Sequence, residues 1–248
     1  GALAVSLMTA AKASNIPLAL PWLLVAFPSF KVLRKHKLVT AAVGVLAVAP
    51  ASFLPIAVAN AYYTGNWAGD PRNISKIQIA NPWYGIAGNG LQILVQNALP
   101  PVMPAASLWN RKVKEILQTP AGGNLVREFP RLDLEARELS GEDRAGVGLG
   151  LSLLGAVTLF AALFPGRSRR TVPSSTGLWF ALGGWIAIFV YMAKLGSESA
   201  PRLFAPYYFV IAASLLLLPG AAALTRKKGW RLCAALAMFP ALMTVVLH

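Results

Sequence analysis

Residues 146–170 read GVGLGLSLLGAVTLFAALFPGRSRR. No charged side chain occurs from Gly146 to Phe164, and then Arg167, Arg169 and Arg170 arrive together. At a rise of about 1.5 Å per residue, a helix needs about 20 apolar residues to cross the hydrocarbon core of a bilayer. Arginines gathered at one end of such a stretch mark the cytoplasmic surface. The block reads as a membrane-crossing helix whose C-terminal end faces the cytoplasm.

Working outward, the pattern recurs at 13–30, 38–60, 176–195 and 203–224, and in a slightly short form at 230–248. Residues 1–11 resemble the tail of one more span. Pro17, Pro21, Pro50, Pro55 and Pro206 fall inside these blocks, where neighbouring helices and water can satisfy the freed carbonyls. Composition agrees. The chain is 56% hydrophobic and 13% charged, against roughly 25% charged in soluble domains, so it has too little polar surface to cover a core in water. The expected fold is an all-α, polytopic transmembrane helix bundle of about six to seven spans with one long extracytoplasmic loop. Its expected divisions are transmembrane helices over 1–60, the loop over 61–145, and four further helices over 146–248. The single cysteine, Cys233, excludes an internal disulfide framework.

A net charge of +14 raises the question of nucleic acid, because basic chains attract phosphate. The positions of the charges answer it. Lys31, Arg34, Lys35 and Lys37 form one short run, Arg167, Arg169 and Arg170 a second, and Arg226, Lys227, Lys228 and Arg231 a third, with no acid among them. Such runs between apolar blocks belong at a cytoplasmic membrane face, and no nucleic-acid motif accompanies them. All three share that face only if residues 86–109 do not cross. This segment is moderately apolar but carries Asn89, Gln92, Gln96 and Asn97, then Pro100, Pro101 and Pro104. It is therefore read as re-entrant or surface-lying.

The loop over 61–145 holds eight of the nine acidic residues and is nearly neutral. Tyr62, Tyr63, Trp67, Trp83 and Tyr84 near its start suit an interfacial aromatic belt. Residues 109–118 suit a short helix lying on the membrane with Val113, Ile116 and Leu117 on one face. Residues 127–144 are charged and expected to be exposed.

Most catalytic constellations are missing. The only histidines are His36 and His248, so a zinc site or a histidine-based triad has no basis in this sequence. Residues 85–90 (GIAGNG) lack the strand–turn–helix setting of a dinucleotide fold. Asn73-Ile-Ser75 fits a glycosylation sequon, a pattern short enough to recur by chance. From 38 onward the spans carry no ionisable residue in their middles, unlike transporter helices with ion or substrate pathways. Charge at the outer face remains. In KLGSESAPRLFAPYY (194–208), Lys194 and Arg202 flank Glu198 where two spans meet. The planar fork of an arginine suits a lipid-borne phosphate, although a helix-end anchor is the plainer alternative. Lys12, between two apolar blocks, offers the same choice of headgroup contact or anchor. Asp70 and Arg72, in NWAGDPR (66–72), are candidates for sugar or phosphate contacts or simple turn residues.

Two elements carry a resemblance. A span followed by Thr9-x-x-Lys12-x-Ser14 and a Pro17-Leu-x-Leu-Pro21 span, together with Glu198-Ser-Ala-Pro-Arg202-Leu-Phe-Ala-Pro206, resembles the C-terminal part of GT-C membrane glycosyltransferases. These use polyprenyl-phosphate sugars in the manner of dolichyl-phosphate-mannose protein mannosyltransferases. The resemblance covers about thirty residues near the two ends of the chain. It implies transfer of a sugar from a lipid phosphate to an acceptor on the extracytoplasmic face of a membrane. Membrane lipids and the lipid-linked donor are then the partners, with no resident cofactor expected. It also implies an aspartate base in an earlier extracytoplasmic loop. Because the chain opens at Gly1 inside an apolar stretch, that loop is expected upstream, and Asp70 is not a substitute for it. The Ala/Gly/Arg-rich composition points to a bacterial cytoplasmic membrane. Two other readings stay open: a non-enzymatic membrane subunit whose long loop docks a partner, and a lipid-linked oligosaccharide polymerase, ligase or flippase.

Overall fold

The computed structural model describes residues 2–36, 38–69, 79–99, 103–137, 146–164, 175–216 and 218–247. These residues form helices and turns with no β-sheet, in keeping with the all-α expectation. The chain divides into two compact units: Gly1–Ile77 with Leu178–Tyr191, and Gln78–Gly177 with Met192–His248.

In the first unit, α1 (Ala2–Ala11) leads through Lys12 into a 3-10 turn (Ala13–Leu18) and then α2 (Ala19–His36). The chain continues into α3 (Leu38–Val48), a second 3-10 turn (Ala49–Ala51) and α4 (Leu54–Thr64). The expected crossing over 38–60 is thus interrupted, and its two halves meet at 64°. Pro50 and Pro55 remove two amide donors at the break. Ser52 partly replaces them: its hydroxyl donates to Ala49 O (2.6 Å) and accepts from Leu54 N (3.1 Å). Most of α9 (Ser175–Met192) belongs to this unit and lies against α2 at Gly183, where a Cβ would come within 2.6 Å of Pro21 Cα.

The second unit contains α5 (Pro82–Ala98), α6 (Ala106–Leu117), α7 (Pro120–Glu128), α8 (Leu149–Leu163), α10 (Ala200–Leu203), α11 (Ala205–Leu216), α12 (Pro219–Thr225) and α13 (Lys228–Leu247). α8 packs against α5, α11, α12 and α13, and Trp230 Nε1 donates to its Thr158 Oγ1 at 3.1 Å. The block expected at 203–224 is divided between α11 and α12, with α10 ending at its first residue. Leu218 stands in an extended conformation immediately before Pro219, as the steric clash of a following proline demands.

Among the described residues, α9 is the one helix both long and apolar enough to cross a bilayer; the bent α3–α4 pair would make a second. Its 18 residues span about 27 Å. Only 28% of the α9 stretch is buried, which distinguishes it from the core helix of a soluble protein.

Candidate functional site

The segment left ambiguous by its mixed composition organises the second unit. α5 begins where Asn81 caps it, its Oδ1 accepting from Trp83 N at 3.1 Å, with Pro82 in the first turn. Its buried face consists of Gly85, Gly88, Asn89, Gln92, Gln96 and Asn97, while Trp83 (78% exposed), Leu91 and Leu94 (68%) point outward. In water the preference runs the other way, with the apolar stripe inward. α5 turns its polar residues into the protein and its apolar ones out.

Those polar residues act as solvent for a stretch of loop. Between the end of α9 at Met192 and the start of α10 at Ala200, the chain leaves the helix, and several of its carbonyls turn to α5 for donors. Asn89 Nδ2 lies 2.8 Å from Met192 O, 2.6 Å from Leu195 O and 2.9 Å from Gly85 O in its own helix. Gln92 Nε2 donates to Glu198 O at 3.2 Å, and Gln96 Nε2 approaches both Glu198 O (3.3 Å) and Asp133 O (2.9 Å). Ile79 N donates to Lys194 O at 3.1 Å. Close approach requires glycine: a Cβ on Gly85 would sit 2.7 Å from Ala193 O, and one on Gly88 would strike the ring of fully buried Phe129. One turn on, Asn97 donates to Tyr208 Oη (3.0 Å) and accepts from Val147 N (2.7 Å).

The amide oxygens of this seam have been left out. Asn89 Oδ1, Gln92 Oε1 and Gln96 Oε1 are buried, with no hydrogen-bond partner among the described residues. Their orientation is fixed, because the amide nitrogens face carbonyl oxygens that only a donor can satisfy.

Lys194 and Arg202, both expected at a binding site, lie at either end of the supported stretch and are exposed. Glu198, midway, approaches Arg131 (Nη1 to Oε2, 3.9 Å). The neighbours of Arg202 along the chain, Pro201, Phe204 and Tyr207, are buried. Lys12 lies in the first unit, exposed at the start of the 3-10 turn with its carbonyl accepting from Asn15 N at 2.9 Å. Asp70 and Arg72 fall outside the described residues, as does the 73–75 sequon.

Two expectations for the long loop need correction. Residues 127–137 are not a uniformly exposed charged tract: Phe129, Asp133, Leu134 and Ala136 are buried. Residues 132–137 have no regular secondary structure and lie beside α6, where Trp109 Nε1 donates to Leu134 O (2.8 Å) and Asn110 pairs with Ala136 in both directions (2.9 and 2.7 Å). For the same reason α6 does not offer its whole apolar face to a membrane. Val113 is buried within the unit, although Ile116 remains 64% exposed. A groove of about 820 Å³ runs here, with Val113, Leu117 and Val126 among its apolar lining and Arg111, Lys114, Asp133 and Glu135 among its charges.

Asn89, Gln92 and Gln96 were visible in the sequence only as an obstacle to a span. Their spacing of three and four residues, one helical face, was the signal that they act together. The chain matches no protein-family model, no curated protein and no solved structure.

Proposed function

We propose that this chain is the C-terminal part of an integral membrane glycosyltransferase, of bacterial cytoplasmic-membrane type, that moves a sugar from a polyprenyl-phosphate donor to an acceptor on the extracytoplasmic face. The observation that carries this reading is the inverted polarity of α5 coupled to the Lys194–Arg202 stretch. A helix with amides inward and Leu91, Leu94 and Trp83 outward suits lipid surroundings, where unsatisfied backbone groups must find partners inside the protein. The stretch it supports presents two cations beside an apolar exterior, the combination that a phosphate on a hydrocarbon tail requires. In this reading the other interrupted blocks complete a bundle of about six to seven spans.

In the proposed reaction the bond between the anomeric carbon and the phosphate oxygen breaks as the acceptor hydroxyl attacks that carbon. The acceptor proton passes to a carboxylate base, which the resemblance places in an earlier loop. The departing polyprenyl phosphate keeps its electron pair, and Arg202 and Lys194 stabilise its charge. Lys12, Asp70 and Arg72 remain proposed contacts for the donor headgroup. In the full-length enzyme, Arg202→Ala is expected to raise the KM for the lipid-phosphate donor at least tenfold, with Arg202→Lys recovering part of the loss. Unchanged KM and turnover in the alanine variant would leave Arg202 as a helix-end anchor.

A second reading, a non-enzymatic subunit docking a partner through its long loop, draws on the groove beside α6, whose apolar lining and mixed charges suit a polypeptide. Copurification of one partner in fixed stoichiometry, lost on Lys114→Glu, would favour it.

A further inference from the structure

Gln92 and Gln96 stand one turn apart on α5, and both side-chain nitrogens approach the same atom, the carbonyl oxygen of Glu198, at 3.2 and 3.3 Å. Glu198 is the last residue before the short rise into α10. Ser199, the next residue, caps α10, where Leu203 N donates to Ser199 O and Phe204 N to Ala200 O, so the turn that carries Arg202 starts one residue after the held carbonyl. The Glu198 side chain does not supply this hold. Its contact with Arg131 is long, at 3.9 Å, and both partners are about half exposed, a geometry that contributes little.

The buried amide oxygens sharpen the point. Gln92 Oε1 and Gln96 Oε1 are out of contact with water and have no hydrogen-bond partner among the described residues. A desolvated acceptor costs stability, and the carbonyl that Gln92 serves has a second donor in Gln96, so stability alone gives little reason for a glutamine at position 92. Two glutamines that bear this cost and converge on one carbonyl are better explained by what that carbonyl positions.

We propose that Gln92 and Gln96 are positioning residues that fix the Glu198 carbonyl and thereby hold Arg202 where it meets the phosphate of a lipid-linked donor. The inference rests on the lipid-phosphate reading above. It assigns the specificity of the site to α5, an element outside the Lys194–Arg202 stretch itself.

The test uses the full-length protein in nanodiscs with a polyprenyl phosphate as probe. Gln92→Leu and Gln96→Leu remove both donor and orphaned oxygen, and Gln92→Glu keeps the shape but, as the carboxylate, cannot donate. Each is expected to weaken polyprenyl-phosphate binding about tenfold and to speed amide hydrogen exchange over residues 193–204, while Gln92→Leu, which leaves Gln96 Nε2 facing the Glu198 carbonyl, shifts the melting temperature by no more than about 2 °C. Gln92→Asn, which retains a donor, should bind more tightly than Gln92→Glu. Binding that ignores all of these changes, or exchange that stays at the unaltered rate, overturns the positioning role alone. Failure of the unaltered protein to bind polyprenyl phosphate overturns the functional reading, and this proposal with it.

Discussion

At the scale of the residue, the second unit turns on what one asparagine does. Asn89 is fully buried, and its two amide hydrogens are shared among three carbonyl oxygens within 2.9 Å. Leucine in its place removes those donors from Met192 and Leu195 without returning water to them. Each of the two orphaned carbonyls costs about 1–3 kcal/mol, and deleting the unpaired Oδ1 returns part of that, so Asn89→Leu should destabilise the unit by roughly 2–4 kcal/mol. Thermal melting in detergent would show it, and a change below about 1 kcal/mol would mean the carbonyls have other donors. Contrast Gln92, whose one carbonyl partner, Glu198 O, keeps Gln96 as a second donor, so its effect on stability should be small and its effect on binding large. Arg202→Ala belongs at this scale too: the side chain is exposed, and the loss is expected in donor KM.

At the scale of the element, α5 and α9 make opposite arguments from sequence. α9 is continuous, uncharged and 18 residues long, and its expected span of 176–195 is nearly the helix observed. α5 has an amphipathic pattern that, read for water, would bury Leu91 and Leu94 and expose Gln92. The structure does the reverse. If α5 faces lipid, a nitroxide attached at Leu94→Cys in a Cys233→Ser background will be relaxed by oxygen far more than by a water-soluble nickel complex. Equal relaxation by both would put that face in water and remove the observation on which the proposed function stands. The α3–α4 bend was half legible. Pro50 and Pro55 stand out in the sequence, but whether neighbouring helices absorb two prolines or let the helix break depends on packing that a linear pattern does not contain.

At the scale of the whole molecule, the distribution of charge makes one prediction independent of any side-chain contact. Basic runs at 31–37, 167–170 and 226–231 should share one face of the membrane, and the loop over 61–145 the other. With Cys233 replaced by serine, cysteines introduced at Ser140 and Ser168 should be labelled from opposite sides by an impermeant maleimide. Both positions lie outside the described residues, so labelling tests the charge rule alone. Labelling from one side would refute the topology and move Arg202 away from the long loop.

The sequence by itself determined that the chain is helical, that it is rich in apolar blocks poor in charge, and that its cations are grouped. Those properties depend on composition and on spacing along the chain, which need no partner to be read. It also singled out Lys194 and Arg202, because charges at the ends of apolar blocks stand out. What only the tertiary structure decided is which residues hold that stretch in place. Asn89, Gln92 and Gln96 lie about a hundred positions from the carbonyls they serve. An amide looks the same in a sequence whether it faces water or a distant backbone. The difference is made by glycines that admit close contact at Gly85 and Gly88, and by a helix whose polar face turned inward.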